Sequence, residues 1–530
     1  MQLTTHWPAE IDTDLGRLRL LMTASEAYPA FEEAVAAAES RIVAGFRIFD
    51  PDTHLRSAAG QAIGRDWFDL IVHTLRRGVS IDLLLSDFDP IVAAPIHRAT
   101  WSSLRRLWAA AEIAGPDAAK LTIHHGRHPA EVGLLPRLIL WPRVLAELRQ
   151  VRRRLEAMPL EGRRTALRDM PGLAERLWLD DGGRVRLRHP WPPRLYPASH
   201  HQKLAVIDGK LLYIGGLDLD ERRFDDHDHD RPGHETWHDI QVTAEGEIAE
   251  AAETYLRAVP DAVHGRAPLP PAPPALVTTV SRVRRLSLPY LSPQPLRQRI
   301  AAAIYDELSK SRGLIYLETQ FFRDRRLARR LASAARHCPD LHLLMVLPAA
   351  PEDVAFEARR KLDARYGEFL QAHCIAKVRR AFGSRAFFAS PAQPRRADHR
   401  SVSGRDILAD APLIYVHAKL CIFDSRTTIV SSANLNGRSL RWDTEAGLRI
   451  QDEAFTRHAL GRALSHWRMP AEVVAQAAEN PAGLIAGVRE AAASDVRKVP
   501  DARRGLLLPY DSRPAERFGR PAPGIPEEMV

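Results

Sequence analysis

The chain has 530 residues, 45% hydrophobic and 27% charged, with Lys plus Arg exceeding Asp plus Glu by nine, 75 against 66. That is the balance of a folded soluble protein large enough for more than one domain, and its positive charge suits anionic partners such as phosphate esters, lipid headgroups or nucleic acid. Three cysteines, Cys338, Cys374 and Cys421, stand in no metal-ligand spacing and argue against a disulfide framework.

The N-terminal stretch MQLTTHWPAEIDTDLGRLRLLM is acidic where a signal peptide carries positive charge. No apolar run approaches the roughly 20 residues that span a bilayer. General secretory export is therefore not expected, although a specialised secretion system need not read an apolar leader. Next, AYPAFEEAVAAAESRIVAGFRIFDP predicts an amphipathic helix and then a buried strand from Arg41 to Phe49. DWFDLIVHTLRRGVSIDLLLSDFDP predicts a second helix and strand.

Residues 95–193 read as a basic helical insertion containing RLILWPRVLAELRQVRRRLEAM. Its helix either docks on an anionic membrane surface or packs on the domain by its leucine stripe. After it come SHHQKLAVID and an apolar run, LLYIGG, which predict a strand pair closed at Asp208-Gly209. FDDHDHDRPGH, with alternating acids and histidines, reads as a polar loop rather than a metal site.

The proline-rich RAPLPPAPPAL, residues 266–276, divides the chain into halves at 1–265 and 277–490. The second half repeats the pattern of the first. LRQRIAAAIYDELSKSRGLIYLETQFF predicts a helix and a strand at Leu314 to Thr319, and RRLASAARHCPDLHLLMVLPAAP another pair. VHAKLCIFD and TTIVSS then predict a strand pair closed at Asp424-Ser425. Residues 491–530, rich in proline and charge, read as a partly disordered tail. Alternating strands and helices, duplicated, give an α/β class with two similar α/β sandwich halves packed together.

The sequence H-x-K-x4-D thus occurs twice, at His201, Lys203 and Asp208 and at His417, Lys419 and Asp424. In a strand, residues i and i+2 face one side, so each His would project with its Lys. A histidine can attack phosphorus or protonate a leaving oxygen, and a neighbouring lysine neutralises phosphoryl oxygens. Two histidines brought face to face divide those tasks.

With these motifs the chain resembles the phospholipase D superfamily, and specifically its lipid-acting branch. The resemblance rests on the paired motifs and the small pairs that follow them, Gly215-Gly216 and Ser431-Ser432. It also rests on IYLETQFF and WHDIQVTAEG, and it covers most of the chain from about residue 20 to 470. It implies a duplicated fold with the active site between the halves. His201 would be the nucleophile and His417 the general acid and base. Lys203 and Lys419, with Asn434, would hold phosphoryl oxygens. Asp218 stands in the corresponding place of the first half, and Ser432 and Gln320 complete the binding or orienting set. Asp239 and Glu445 would orient the two histidines through the remote ring nitrogen. Asp208 and Asp424, counted with the catalytic motifs, are expected to tie down turns and strands, and His200 to face away. Two positions depart from the family pattern, Ser431 for glycine and Thr319 for asparagine.

The resemblance implies hydrolysis of a glycerophospholipid such as phosphatidylcholine to phosphatidic acid and a headgroup alcohol through a phosphohistidine. Transphosphatidylation would be a side activity. A phosphatidyltransferase of the cardiolipin synthase type, a nuclease and a non-catalytic lipid-binding scaffold are the alternatives. No metal or other cofactor is required by that mechanism. The expected partners are a phospholipid membrane surface and no nucleic acid, and the chain is expected to be a monomer. Secretion by a non-Sec route and a role in virulence are suggested by the resemblance alone, the other location being cytoplasmic.

Overall fold

The structure, a computed structural model, describes residues 9–188, 191–357, 361–398 and 403–530. Residues 1–8, which carry part of the N-terminal reading, and residues 189–190 of the basic insertion lie outside the described residues. In chain order the first half contains β1 (Ile11–Thr13), β2 (Gly16–Met22), β3 (Arg41–Phe46), β4 (Ser80–Ser86) and β5 (Leu121–Gly126). A small hairpin of β6 (Leu177–Leu179) and β7 (Val185–Leu187) follows, then β8 (Leu204–Ile207), β9 (Leu211–Gly215) and β10 (Ile240–Glu245). The second half contains β11 (Leu276–Arg282), β12 (Gln294–Gln298), β13 (Leu314–Thr319), β14 (His342–Val346) and β15 (Ala386–Pro391). After the short pair β16 (Ile407–Leu408) and β17 (Ala411–Pro412) come β18 (Lys419–Phe423), β19 (Thr427–Ser431), β20 (Glu445–Ile450) and β21 (Leu507–Pro509).

Two large mixed sheets result, with the same central order. The first runs β1-β2-β10-β9-β8-β3-β4-β5 and the second β12-β11-β20-β19-β18-β13-β14-β15-β21. In each, three strands are parallel (β3, β4, β5 and β13, β14, β15) and the motif strands form an antiparallel pair beside them. The protein is thus an α/β fold of two similar halves.

Helices cover the outer faces. In the first half they are Thr23–Ala37, Trp67–Arg76 and Ala94–Ala114, packed through Phe31, Trp67, Leu70 and Leu104. In the second they are Arg299–Lys310, Arg325–His337 and Leu362–Phe382, packed through Ile304, Leu331 and Ile375. Side-chain caps start several of them: Asp66 accepts from the Asp69 N–H, and Asp324 from the Leu327 N–H. The inner faces share one core, in which Leu20, Val206 and Val242 of the first sheet join Tyr316, Leu344 and Val430 of the second. Each such buried aliphatic side chain contributes about 1.5–3 kcal/mol, so the halves are held by burial rather than by the linker.

Four expectations are corrected. The insertion is shorter than residues 95–193, because helix Ala94–Ala114 and β5 belong to the sheet layer, as their counterparts Leu362–Phe382 and β15 do. The strand expected to reach Phe49 ends at Phe46. The motif residues His201, Lys203 and His417 precede strands β8 and β18 rather than lying within them, and Lys419 opens β18. The tail is ordered: β21 pairs with β15, and Glu527 and Glu528 accept from the buried Arg441. A short apolar triplet and two acids facing an arginine outweigh the proline content there. Among the described residues, no helix is long and apolar enough to cross a membrane.

Candidate active site

Each motif enters its strand along the opposite half. The His201 N–H donates to Thr444 O at 2.8 Å, and the His417 N–H donates to His238 O at 2.8 Å. Isolated bridges join His200 to Thr444 and His238 to Val416. The backbone therefore delivers both histidines to the seam between the sheets.

The side chains repeat this exchange. His201 Nδ1 lies 3.0 Å from Glu445 Oε2, and His417 Nδ1 lies 2.5 Å from Asp239 Oδ2. Each motif histidine is thus oriented by a carboxylate from the other half, a crossed arrangement that leaves Nε2 of each ring free of these contacts. Lys203 Nζ reaches the carbonyl of His201 at 2.6 Å and sits 3.4 Å from its Nδ1. Lys419 Nζ bonds the carbonyl of His417 and sits 2.8 Å from its Nδ1. The i, i+2 pairing holds even though the segments lie at the strand entrances.

Burial governs the electrostatics. Both lysines are buried, which lowers Lys203 to about 8 and Lys419 to about 7, against the opposing pull of Asp218 on the first and Asp239 on the second. Burial, followed by the charge of its own motif lysine, drives His201 and His417 well below the ordinary histidine value. Lys419 also acts on His201, and Lys203 and His201 on His417, so the two motifs share one field. Burial raises Glu445 to about 8. Asp239 is likewise raised by burial, with Lys419 opposing. Lys203, Lys419, Arg47 and Arg223 converge on the two histidines, a cluster of basic groups that an anionic phosphodiester would complement.

The remaining expected residues fall into two groups. Ser432 Oγ donates to Glu445 Oε2, and Asn434 Nδ2 donates to Gln320 Oε1 at 3.1 Å, with Gln320 Nε2 donating to Tyr415 Oη at 2.9 Å. Asp218 faces cations instead: Arg223 Nη1 lies 2.6 Å and Lys203 Nζ 3.9 Å from its Oδ2. As an anion it orients these groups rather than meeting phosphate. Asp208 and Asp424 stay out of the cluster, which corrects their inclusion with the catalytic set. Asp208 accepts from the Glu39, Ser40 and Arg41 N–H groups, and Asp424 from those of Gly313 and Leu314. His200 faces Thr444 Oγ1 and the His128 ring. Thr319 Oγ1 donates to Phe321 O at 2.9 Å, so the departure there serves a turn.

Sequence reasoning missed Arg223, Arg47 and the Arg438–Asp443 pair. Arg47 and Arg438 both act on His201, and Arg223 on His417. Arg223 stands in the ERR of GGLDLDERRFDD, five residues after Asp218, and Arg47 directly follows β3, so basic residues just beyond a strand were the available signal.

A two-half enzyme with a shared phosphodiester-type site is what this geometry defines. Comparison with known proteins narrows it. Residues 304–467 match the family model described as cardiolipin synthase, PLD-like domain. Phospholipase D1 of Mus musculus is 28% identical over 182 residues, which is 29% of this chain and 16% of that protein's length. Among solved structures, the chain is similar to phosphatidylserine synthase from Haemophilus influenzae Rd KW20, with TM-score 0.49 and 11% identity over 87% of this chain and 88% of that one. It is also similar to polyphosphate kinase from Porphyromonas gingivalis, with TM-score 0.39 and 9% identity over 83% of this chain and 45% of that one. Residues 304–467 thus carry the likeness to the PLD-like family, and the paired motifs of the two halves agree with it.

Proposed function

We propose that the protein is a phospholipase D that cleaves glycerophospholipids through a phosphatidyl-His201 intermediate. The crossed His201–Glu445 and His417–Asp239 pairs carry the reading, because they fix two neutral imidazoles with their Nε2 atoms available. His201 Nε2 attacks phosphorus and the bond from phosphorus to the headgroup oxygen breaks. Lys203, Lys419 and Asn434 hold the phosphoryl oxygens. The arriving negative charge offsets the lysines that keep His417 deprotonated, so His417 can carry the proton that goes to the leaving alcohol. His417 then takes a proton from water, whose oxygen attacks phosphorus; the P–N bond breaks and phosphatidic acid leaves.

A lipid surface as partner is supported by an exposed apolar lip. Leu134, Leu135, Leu138 and Ile139 open helix Leu134–Glu156, and Leu286 and Leu288 lie beside them. The Gly133 and Leu135 N–H groups donate to the Tyr290 and Leu288 carbonyls, which joins the two segments. Arg137, Arg143, Arg284 and Arg285 flank the lip in sequence, a composition suited to anionic headgroups.

The second reading, a phosphatidyltransferase, differs only in the acceptor, an alcohol in place of water. The description of the matched family as cardiolipin synthase favours it. Incubating the purified protein with defined phospholipids, with and without a lipid alcohol acceptor, separates the two by product. Choline or ethanolamine release should occur and fall by at least about a thousandfold in His201→Ala. Cleavage of single-stranded DNA without lipid turnover would overturn the proposal.

A further inference from the structure

The loop after β9 brings its histidines to a partner that the local sequence does not reveal. His229, His238 and His466 are all buried, and one ring nitrogen of each lies within 4.8 Å of the others. They come from three separate places: the loop, the segment before β10, and the last turn of helix Glu453–His466. Carboxylates back two of the rings. Asp225 Oδ2 lies 2.6 Å from His229 Nδ1, and Glu318 Oε2 lies 2.7 Å from His238 Nε2. A carboxylate on the remote nitrogen fixes the tautomer and orientation of a ligating imidazole.

Protons alone explain only part of the cluster. His466 Nε2 lies 3.1 Å from His229 Nε2, and His466 Nδ1 lies 3.1 Å from His227 Nδ1, while His227 Nε2 reaches Glu26 Oε1 at 2.9 Å. These contacts make a continuous hydrogen-bonded chain from Glu26 to Asp225. It leaves His238 Nδ1 buried, with no hydrogen-bond partner among the described residues. Leaving such a group unpaired in the interior is destabilising.

We propose that His229, His238 and His466 form a binding site for a divalent transition-metal ion of the zinc class. An all-imidazole set suits zinc, copper or nickel rather than magnesium or calcium. Three protein ligands leave a fourth position for water. Zinc–nitrogen distances of about 2.0–2.1 Å put tetrahedral ligand nitrogens roughly 3.3 Å apart; His229 Nε2 and His466 Nε2 already stand 3.1 Å apart, and His238 lies within 4.8 Å of both. The ion takes no part in phosphoryl transfer. It ties the loop and a helix of the second half to His238, whose carbonyl accepts from the His417 and Ala418 N–H groups and whose neighbour Asp239 orients His417. The inference stands apart from which phosphodiester is cleaved.

The test uses the purified full chain, zinc analysis by mass spectrometry and titration of the metal-stripped protein with Co2+. One zinc per chain is expected, together with the intense visible bands of four-coordinate cobalt. His466→Ala and His229→Gln should each lose both signals, and chelator should lower the unfolding midpoint of the wild type but not of His466→Ala. Failure of the wild-type protein to take up either ion in stoichiometric amount would overturn the proposal, as would wild-type affinity in His466→Ala. Should a variant not fold, the wild-type titration decides by itself.

Discussion

Gly216 and Ser432 occupy equivalent places after β9 and at the end of β19, yet they meet the neighbouring carboxylate differently. A Cβ on Gly216 would lie 2.1 Å from Asp239 Oδ1, whereas Ser432 bonds Glu445 through its hydroxyl. One residue earlier the small partner changes strands. Gly215 pairs with Gln241 in the first sheet, while Ser431 pairs with Gly447 in the second, and a Cβ on Gly447 would meet that of Ser431 at 2.4 Å. The departure at Ser431 is thus compensated across the ladder. Gly216→Ala should push Asp239 off His417 and lower kcat on a short-chain phosphatidylcholine by about 10–100-fold, since small misplacements at a reacting group are costly. An unchanged kcat in a variant with the wild-type unfolding midpoint would show that Asp239 does not position His417. The His, Lys and Asp spacing was legible in the sequence because it is local. The resemblance also named Asp239 and Glu445, but not that each crosses to the histidine of the other half, because Glu445 and His201 lie 244 positions apart and meet only through sheet packing.

At the scale of elements, the basic helix packs on the protein by its leucine stripe, as one of its sequence readings expects, and leaves its first turns exposed. Val144, Leu148 and Leu155 pack inward, while the first turns leave Ile139 79% exposed, as the proposed lipid contact requires. Periodicity made the helix legible, but which turns a neighbour covers depends on the segment at residues 286–290. Burying two aliphatic side chains in a bilayer contributes about 1.5–3 kcal/mol each. Leu138→Asp combined with Ile139→Asp should therefore weaken sedimentation with phosphatidylglycerol-containing vesicles at least about tenfold and leave turnover of a soluble short-chain lipid unchanged. Equal vesicle binding would remove the lip from the account. The tail shows the opposite failure of sequence reasoning: proline and charge suggested disorder, but Arg441 collects Asp324, Glu527 and Glu528, a set no local pattern displays.

For the whole molecule, the shared core explains why two halves with separate sheets act as one body. The repeat made the two-half α/β architecture readable, whereas the seam became visible only in three dimensions. That seam buries titratable groups. Burial lowers His128 to about 4 and His200 to about 3, and holds His201 and His417 well below the ordinary value. As the pH falls below about 6.5 the unfolded chain takes up protons that these four cannot, so stability present above that pH is lost, by about 1.4 kcal/mol per group for each pH unit. Glu445, raised to about 8 by burial, works in the other direction, losing stability as the pH rises from about 4.5 to 8. Asp239, also raised by burial, works in the same direction as Glu445, and four histidines against two carboxylates set the balance on the acid side. The unfolding midpoint should fall by about 5 °C or more between pH 7 and pH 5.5; a flat or rising midpoint over that interval would contradict the burial of these neutral histidines.

The central claim is that two motifs from two halves perform one reaction with divided roles. Its most direct test is the reaction of His417→Asn with bis(p-nitrophenyl) phosphate, whose leaving group departs without a general acid. His201 should still attack, and without His417 to activate water the adduct should persist. A burst of one p-nitrophenolate per chain is expected, with a p-nitrophenyl phosphate adduct mapped by mass spectrometry to His201. Steady turnover with no adduct, or the same burst in a His201→Ala, His417→Asn double variant, would contradict it.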